Sequence, residues 1–307
     1  MTALRPRALR PGDTVGVCAP SGPVNPDRLA RGVSALEELG YRVRVGGAVR
    51  RRRHFTAGTP DERLADLHAL WADDAVAAIV CARGGAGATQ IVDRLDLDLI
   101  RAHPKVFVGY SDLTLVHLLL GRLGQVSVHG PMAAIELAEG TFDRASFAAA
   151  TAGGPRYGSD PEDLEAVVPG TAEGVLRGGC LSLLANAVGT PWALAPDEDT
   201  ILFLEDVDEP PYRIDRMLWQ LRSAGTLARV RGVVFGDMRG CAPPLEADFD
   251  LQDVIREVLG PLGVPVALGL SSGHTNNPFV SLPFGVEARL VSAADEVRLE
   301  VTGEAVA

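Results

Sequence analysis

The sequence predicts an α/β protein. An N-terminal domain built on a doubly wound, mostly parallel sheet precedes a C-terminal α/β domain richer in β-strand. Three observations carry this prediction. From residue 14 to residue 123, short apolar runs alternate with longer segments of helical spacing, the pattern of repeated βα units whose strands are covered on both faces. A stretch crowded with turn formers then intervenes: Gly153-Gly-Pro, Gly158-Ser-Asp-Pro161 and Pro169-Gly170. Beyond it the apolar runs become short and close-set. The expected division is residues 1–150, a linker at 151–170, and residues 171–307.

Each element has a local reason. Thr14-Val-Gly-Val-Cys18 is a strand candidate, and Pro26 to Leu39 has helical spacing that stops at Gly40. Tyr41-Arg-Val-Arg-Val45 alternates as a strand does. Pro60 to Trp71 reads as a helix, and Ala75-Val-Ala-Ala-Ile-Val80 as a buried strand. Gly84 to Gly87 reads as a tight turn opening another helix. Lys105 to Tyr110 and Leu113 to Leu123 complete the series as strand and helix. In the second half, strands are expected around Ile201, Val230, Val264, Val280 and Val286, and helices near Leu181, Ile214 and Val254.

Composition narrows the function. A hydrophobic content of 47% in 307 residues supports full cores. The formal net charge is −11, from 29 basic and 40 acidic residues, which argues against nucleic acid as a partner because phosphate neutralisation needs a basic face. The one basic cluster, Arg50 to Arg53, reads as a solvated loop. There is no apolar run of membrane-spanning length and no apolar leader, so the expectation is a cytoplasmic protein without membrane contact. Cys18, Cys81, Cys180 and Cys241 are scattered, include no C-x-x-C pair, and fit a reducing compartment without disulfides or zinc. The histidines show no metal-ligand spacing, and neither a metal nor an organic cofactor is expected.

The chemistry gathers at Gly109-Tyr-Ser-Asp112. A β-rich run, a serine, then a helical run is the layout of a strand–turn–helix nucleophile, with the hydroxyl at a helix N-terminus that can stabilise an oxyanion. Taken alone, Ser and Asp there are also ordinary helix caps. A serine nucleophile needs a base and an orienting acid. Two later segments supply the residue types. The run Ile201-Leu-Phe-Leu-Glu205 ends in carboxylates, and Leu270-Ser-Ser-Gly-His274-Thr-Asn-Asn277 centres on a histidine. Chemistry alone leaves the acid open among Glu205, Asp206, Asp208 and Glu209. The order Ser–acid–His is also that of α/β-hydrolases, but Gly109-Tyr-Ser-Asp-Leu113 lacks the second glycine of G-x-S-x-G. The Asp112 N–H is one natural oxyanion donor, and a second would come from the Gly84-Gly85 turn. Gly85-Ala-Gly87 begins like a dinucleotide site but lacks the third glycine.

Together these motifs resemble the serine LD-carboxypeptidases, a family with G-Y-S-D, then E-D-x-x-E-x-P-Y-x-I-D-R-M-L, then G-H-x-x-x-N and L-P-x-G. This chain has Gly109 to Asp112, Glu205-Asp206 through Leu218 and Leu282-Pro-Phe-Gly285, and it has Gly273-His274-Thr-Asn-Asn277, whose asparagine stands one residue nearer the histidine than in the family pattern. Phe55-Thr-Ala-Gly58, Ala82-Arg-Gly-Gly85, His129-Gly-Pro-Met132 and Gly178-Gly-Cys-Leu-Ser-Leu183 match further blocks in order. The resemblance implies Ser111 as nucleophile, Glu205 as orienting acid, His274 as base, and the Gly85 and Asp112 N–H groups as oxyanion hole. It also implies substrate contacts at Arg83, Ala86 and Cys180, and a homodimer. Two further positions depart from the family, which usually carries Tyr where Ala86 stands and Asn where Cys180 stands; both bear on the substrate pocket.

The implied function is removal of the terminal D-Ala from a murein tetrapeptide, a small peptide substrate (muropeptide), during cell-wall recycling. A serine hydrolase of the same fold acting on peptidyl or aminoacyl adenylates, as in microcin C immunity, is the nearest alternative. A non-catalytic muropeptide-binding protein is the second.

Overall fold

The computed structural model describes residues 3–154, 158, 164–194 and 198–307. In the first half, β1 (Thr14–Cys18), β2 (Arg42–Val45), β3 (Val76–Cys81), β4 (Val106–Gly109) and β5 (Ser127–His129) alternate with helices. The helices are α1 (Pro26–Glu38), α2 (Pro60–Ala72), α3 (Leu97–Ala102) and α4 (Thr114–Arg122), and α5 (Arg144–Ala152) closes the half. The second half contains β6 (Glu165–Val168), β7 (Gly170–Cys180), α6 (Leu181–Ala187), β8 (Thr200–Glu205) and α7 (Pro211–Ser223). It continues with β9 (Val230–Gly236), α8 (Leu251–Leu259), β10 (Val266–Leu270), β11 (Leu282–Phe284), β12 (Glu287–Ser292) and β13 (Val297–Val301).

Two sheets result, in the orders β11-β5-β4-β3-β1-β2 and β13-β12-β7-β8-β9-β10-β6. The first is parallel except for β11, and the second has a parallel centre, β7 to β10, with antiparallel strands at both edges. This is the α/β class expected. Local chemistry explains the helix starts. Asn25 accepts hydrogen bonds from the N–H groups of Asp27 and Arg28 ahead of α1, and Thr59 and Glu62 form a capping box on α2. Central β3 is buried throughout, whereas edge strand β2 turns arginines to solvent.

The structure departs from the sequence reading in several places, and β5, α5 and β13 have no counterpart in it. The Gly84–Gly87 turn leads into two short 3₁₀ turns at 88–90 and 92–94, not directly into a helix. Val280 lies ahead of a strand rather than within one, and that strand, β11, joins the first sheet antiparallel to β5. Strand β7, at the centre of the second sheet, was not foreseen. Of the turn-rich stretch 151–170, residues 165–168 form a strand paired with β10, while 155–157 and 159–163 lie outside the described residues.

Gly178 and Gly179 at the end of β7 explain how the two halves meet. A Cβ on Gly178 would lie 1.8 Å from the Phe203 carbonyl oxygen, and one on Gly179 would lie 2.6 Å from Thr114 Oγ1. Both have φ above +130°, a backbone region open mainly to glycine. Because neither carries a side chain, α4 can approach β7 closely enough for the Cys180 N–H to donate to Thr114 Oγ1 at 3.0 Å.

Candidate active site

Five strand ends converge on one region. In the first sheet the strand order reverses between β1 and β3, the point where open parallel sheets bind ligands beyond their carboxyl ends. The loops after these strands touch there: the Gly22 N–H donates to the Gly84 carbonyl at 3.0 Å. Beside them, after β4, the chain turns through Ser111. This residue holds φ +62°, a left-handed conformation that costs a non-glycine residue of order 1 kcal/mol or more and collects at functional sites. The strain lifts the side chain out of the turn ahead of α4. Ser111 is half-buried, and its hydroxyl makes no hydrogen bond among the described residues. A Cβ on Gly84 would sit 2.9 Å from Ser111 Cβ and 3.0 Å from its Oγ, so the bare glycine is what admits the serine.

The acid and the base come from the second sheet. Glu205, the last residue of β8, is fully buried. Its Oε2 accepts from the His274 ring at Nδ1, 2.7 Å away, and from the His274 backbone N–H at 3.0 Å. With Nδ1–H donating to the carboxylate, Nε2 is left as the acceptor, the tautomer a general base requires. Gly273 and Gly236 make room: a Cβ on either would collide with Glu205 or with the Ser272 carbonyl. Burial lowers the proton affinity of His274. The hydrogen bond and charge of Glu205, with the charge of Asp206, raise it further than burial lowers it, and the net pKa lies above the ordinary histidine value.

Of the neighbouring carboxylates, two are engaged elsewhere and the third faces solvent. Asp206 accepts from the Ser182 N–H at 2.7 Å at the start of α6 and from the Val207 N–H at 3.0 Å. Glu209 pairs with Arg213 at 3.0 Å, and Asp208 is exposed.

Around Ser111, the Gly84 carbonyl is held by the Gly22 N–H and by Arg83 Nε. In a trans peptide the following N–H points the opposite way. The Gly85 N–H therefore faces away from that anchor, and neither it nor the Asp112 N–H donates to any described acceptor. The Asp112 carboxyl is turned inward, where it accepts from the Ala88 N–H at 2.8 Å. Arg83 braces the turn, donating to the carbonyls of Gly84 and Pro23 at 3.2 Å each. Ala86 is exposed on the turn, whereas Cys180 is buried against Ser182 with its thiol pushed well up by burial.

Sequence reasoning missed two supporting residues. The Tyr110 ring stands edge-on to the His274 ring at 5.1 Å between centroids, and the Tyr110 hydroxyl donates to buried Glu136 at 2.7 Å. Glu136 also accepts from the Met132 N–H at 3.0 Å and lies in a π-helical turn at residues 133–137, a geometry frequent at functional sites. Its signal, a glutamate in an otherwise apolar run after His129-Gly-Pro-Met132, carries no periodicity. His129 is fully buried among the rings of Tyr110, Phe203, Phe279 and Phe284, a packing role. A cavity of about 520 Å³, lined by His117, Arg122, Arg177 and Phe284 among others, includes none of Ser111, Glu205 or His274. Among the described residues, no group of three or more His, Cys, Asp or Glu is placed to hold a metal ion, and no helix is long and apolar enough to cross a membrane.

Comparison with known proteins gives a consistent result. Residues 15–130 match the family model described as the LD-carboxypeptidase N-terminal domain, and residues 173–290 that of the LD-carboxypeptidase C-terminal domain. The chain is 39% identical over 310 residues to the Bacillus subtilis (strain 168) protein named "Probable murein peptide carboxypeptidase", covering 96% of this chain and 94% of that one. It is 26% identical over 315 residues to the microcin C7 self-immunity protein of Escherichia coli, covering 91% and 90%. The crystal structure of the muramoyltetrapeptide carboxypeptidase from Oxalobacter formigenes aligns with a TM-score of 0.83 and 30% identity, over 96% of this chain and all of that one.

Proposed function

The chain belongs to the LD-carboxypeptidase family, and we propose that it is a serine carboxypeptidase that cleaves the L–D peptide bond before the terminal D-Ala of murein tetrapeptides. The observation that carries this reading is the 2.7 Å contact of buried Glu205 with His274, whose ring meets Tyr110, the residue before strained Ser111. The relatives named for murein peptides supply the substrate class.

In this mechanism His274 Nε2 takes the Ser111 hydroxyl proton as Oγ attacks the carbonyl carbon of the L-residue. The negative charge that develops on the carbonyl oxygen is held by the Gly85 and Asp112 N–H groups, each such donor contributing about 10²–10³ in rate in comparable sites. The imidazolium, stabilised by Glu205, protonates the departing amine of D-Ala. Water activated by the same histidine then attacks the acyl ester and frees Ser111. No step draws on a cofactor. A cytoplasmic location and a homodimer accompany this reading on family resemblance, and light scattering of the purified protein tests the dimer.

A second reading, hydrolysis of an aminoacyl or peptidyl adenylate, is favoured by the 26% identity to the microcin C7 self-immunity protein and by the small, exposed Ala86 on the turn. Purified wild type and Ser111→Ala, each incubated with a murein tetrapeptide and with an adenylate analogue, separate the readings. Wild type is expected to release D-Ala, and the variant to lose about six orders of magnitude, the scale of a lost serine nucleophile. Adenylate hydrolysis without D-Ala release would transfer the assignment to the second reading. Tight binding of peptide with neither turnover would leave a binding protein.

A further inference from the structure

We propose that Arg239 holds the terminal carboxylate of the departing D-residue and thereby confines cleavage to a free chain end. The inference rests on the carboxypeptidase reading above. Removing a single C-terminal residue requires something that reads the carboxylate one residue beyond the scissile bond. The strand ends beside His274 are rich in carboxylates, with Glu205, Asp206, Asp208 and Glu209 at and just after β8 and Asp237 just after β9, in a chain of net charge −11. An anionic terminus needs a local cation there.

Other arginines near these strand ends and the Ser111 turn are occupied. Arg83 binds two backbone carbonyls, buried Arg63 donates to the carbonyls of Pro20 and Gly87 and to Gln90, and Arg213 pairs with Glu209. Arg239 is exposed and forms no ion pair among the described residues. It follows the carboxyl end of β9, which lies between β8, bearing Glu205, and β10, which leads to His274. Its guanidinium reaches the His274 loop, where Nη1 donates to Asn276 Oδ1 at a long 3.4 Å.

The loop that presents Arg239 is held in place on both sides. Asp237 accepts a hydrogen bond from the Thr275 hydroxyl, and the Arg239 carbonyl accepts from the Asp208 N–H at 2.8 Å. Both Met238 and Asp208 adopt positive φ, +48° and +55°, strain of the kind that persists where surrounding contacts over-determine a functional geometry. A planar guanidinium matches a carboxylate through two parallel hydrogen bonds. Its long contact to a neutral amide is one that a carboxylate can readily displace.

The test compares kcat/KM for a tetrapeptide ending in D-Ala with that for the same peptide ending in D-Ala amide. Wild type is expected to prefer the acid by about 10²-fold, the scale of a charge-assisted contact. Arg239→Ala is expected to lower the acid's kcat/KM by a similar factor, leave the amide's unchanged, and so erase the preference; Arg239→Lys retains part of it. All these rates are compared at a pH well above the His274 pKa, which the Arg239 charge lowers, and there the rate of Ser111 labelling by a fluorophosphonate should be the same in all three proteins. An acid-to-amide ratio in Arg239→Ala equal to that of wild type overturns the inference while the carboxypeptidase reading stands. If wild type cleaves neither peptide, the carboxypeptidase reading falls and the inference falls with it.

Discussion

Replacing Gly84 by alanine isolates the contact that admits Ser111 into the site. Gly84 has no positive φ, so its backbone accepts a side chain without conformational strain. Its new Cβ would lie 2.9 Å from Ser111 Cβ and 3.0 Å from Oγ, about 0.6 Å inside the ~3.5 Å at which carbon atoms rest. The overlap is relieved only by shifting Ser111 or the 83–86 turn, and the turn is tied down through the Gly84 carbonyl. A displacement of about 1 Å at the reacting atoms costs about 10² in rate. We therefore expect kcat to fall about 10- to 100-fold with KM nearly unchanged and a melting temperature within a few degrees of wild type. Steady-state kinetics of D-Ala release alongside calorimetry measures both. Full kcat in a folded Gly84→Ala protein would refute the argument that Ser111 and the glycine turn are matched in space.

Glu205→Gln keeps the size of the acid and removes its charge, and should lower kcat about 10⁴-fold, as loss of a triad acid does in other serine hydrolases; a larger loss in Asp206→Asn or Glu209→Gln would move the role. Catalysis needs neutral His274, whose pKa is raised above 6.5, so the acid limb of kcat/KM against pH should have its midpoint above 6.5, and the residual activity of Glu205→Gln should show that midpoint lowered. Burial pushes His117 down from 6.5 to about 4; the unfolded chain binds that proton first, so its contribution is present above pH 6.5 and lost as pH falls toward 4. That amounts to about 3 kcal/mol, with His129 acting in the same direction, and urea unfolding at pH 7 and pH 5 should show a steeper loss in wild type than in a folded His117→Gln variant. Ala86→Tyr places a ring on the exposed turn and should narrow substrate choice, seen as a wider spread of kcat/KM across tetrapeptides with different third residues, without changing Ser111 labelling.

The sequence made the first sheet legible because its strands are apolar runs set off by strong helix caps. Pro26 after Asn25 and Pro60 after Thr59 mark helix starts that local chemistry alone determines. Strand β7 was not legible because glycines at 170, 174, 178 and 179 depress β-propensity. Those at 178 and 179 answer to the approach of Phe203 and Thr114, which only the folded chain reveals. The pairing of β11 with β5 joins residues some 150 apart and leaves no local trace. At the site, the loops bearing Ser111 and His274, and Glu205 at the end of β8, stood out as polar interruptions of apolar runs. Which carboxylate meets the histidine depended on the register of β8 and on Asp206 turning to the start of α6. Tyr110, Glu136 and Arg239 act through ring packing, a π-turn and a strained loop, features with no sequence period.

The central claim is that Ser111 carries the acyl group while D-Ala departs. Acid-quenching the enzyme within milliseconds of mixing with a murein tetrapeptide, followed by peptide mapping by mass spectrometry, tests it most directly. The account predicts an added mass equal to the tripeptidyl acyl group on Ser111, appearing together with free D-Ala and absent from Ser111→Ala. Turnover with the adduct on another residue, or D-Ala release by Ser111→Ala at a rate near that of wild type, would contradict it.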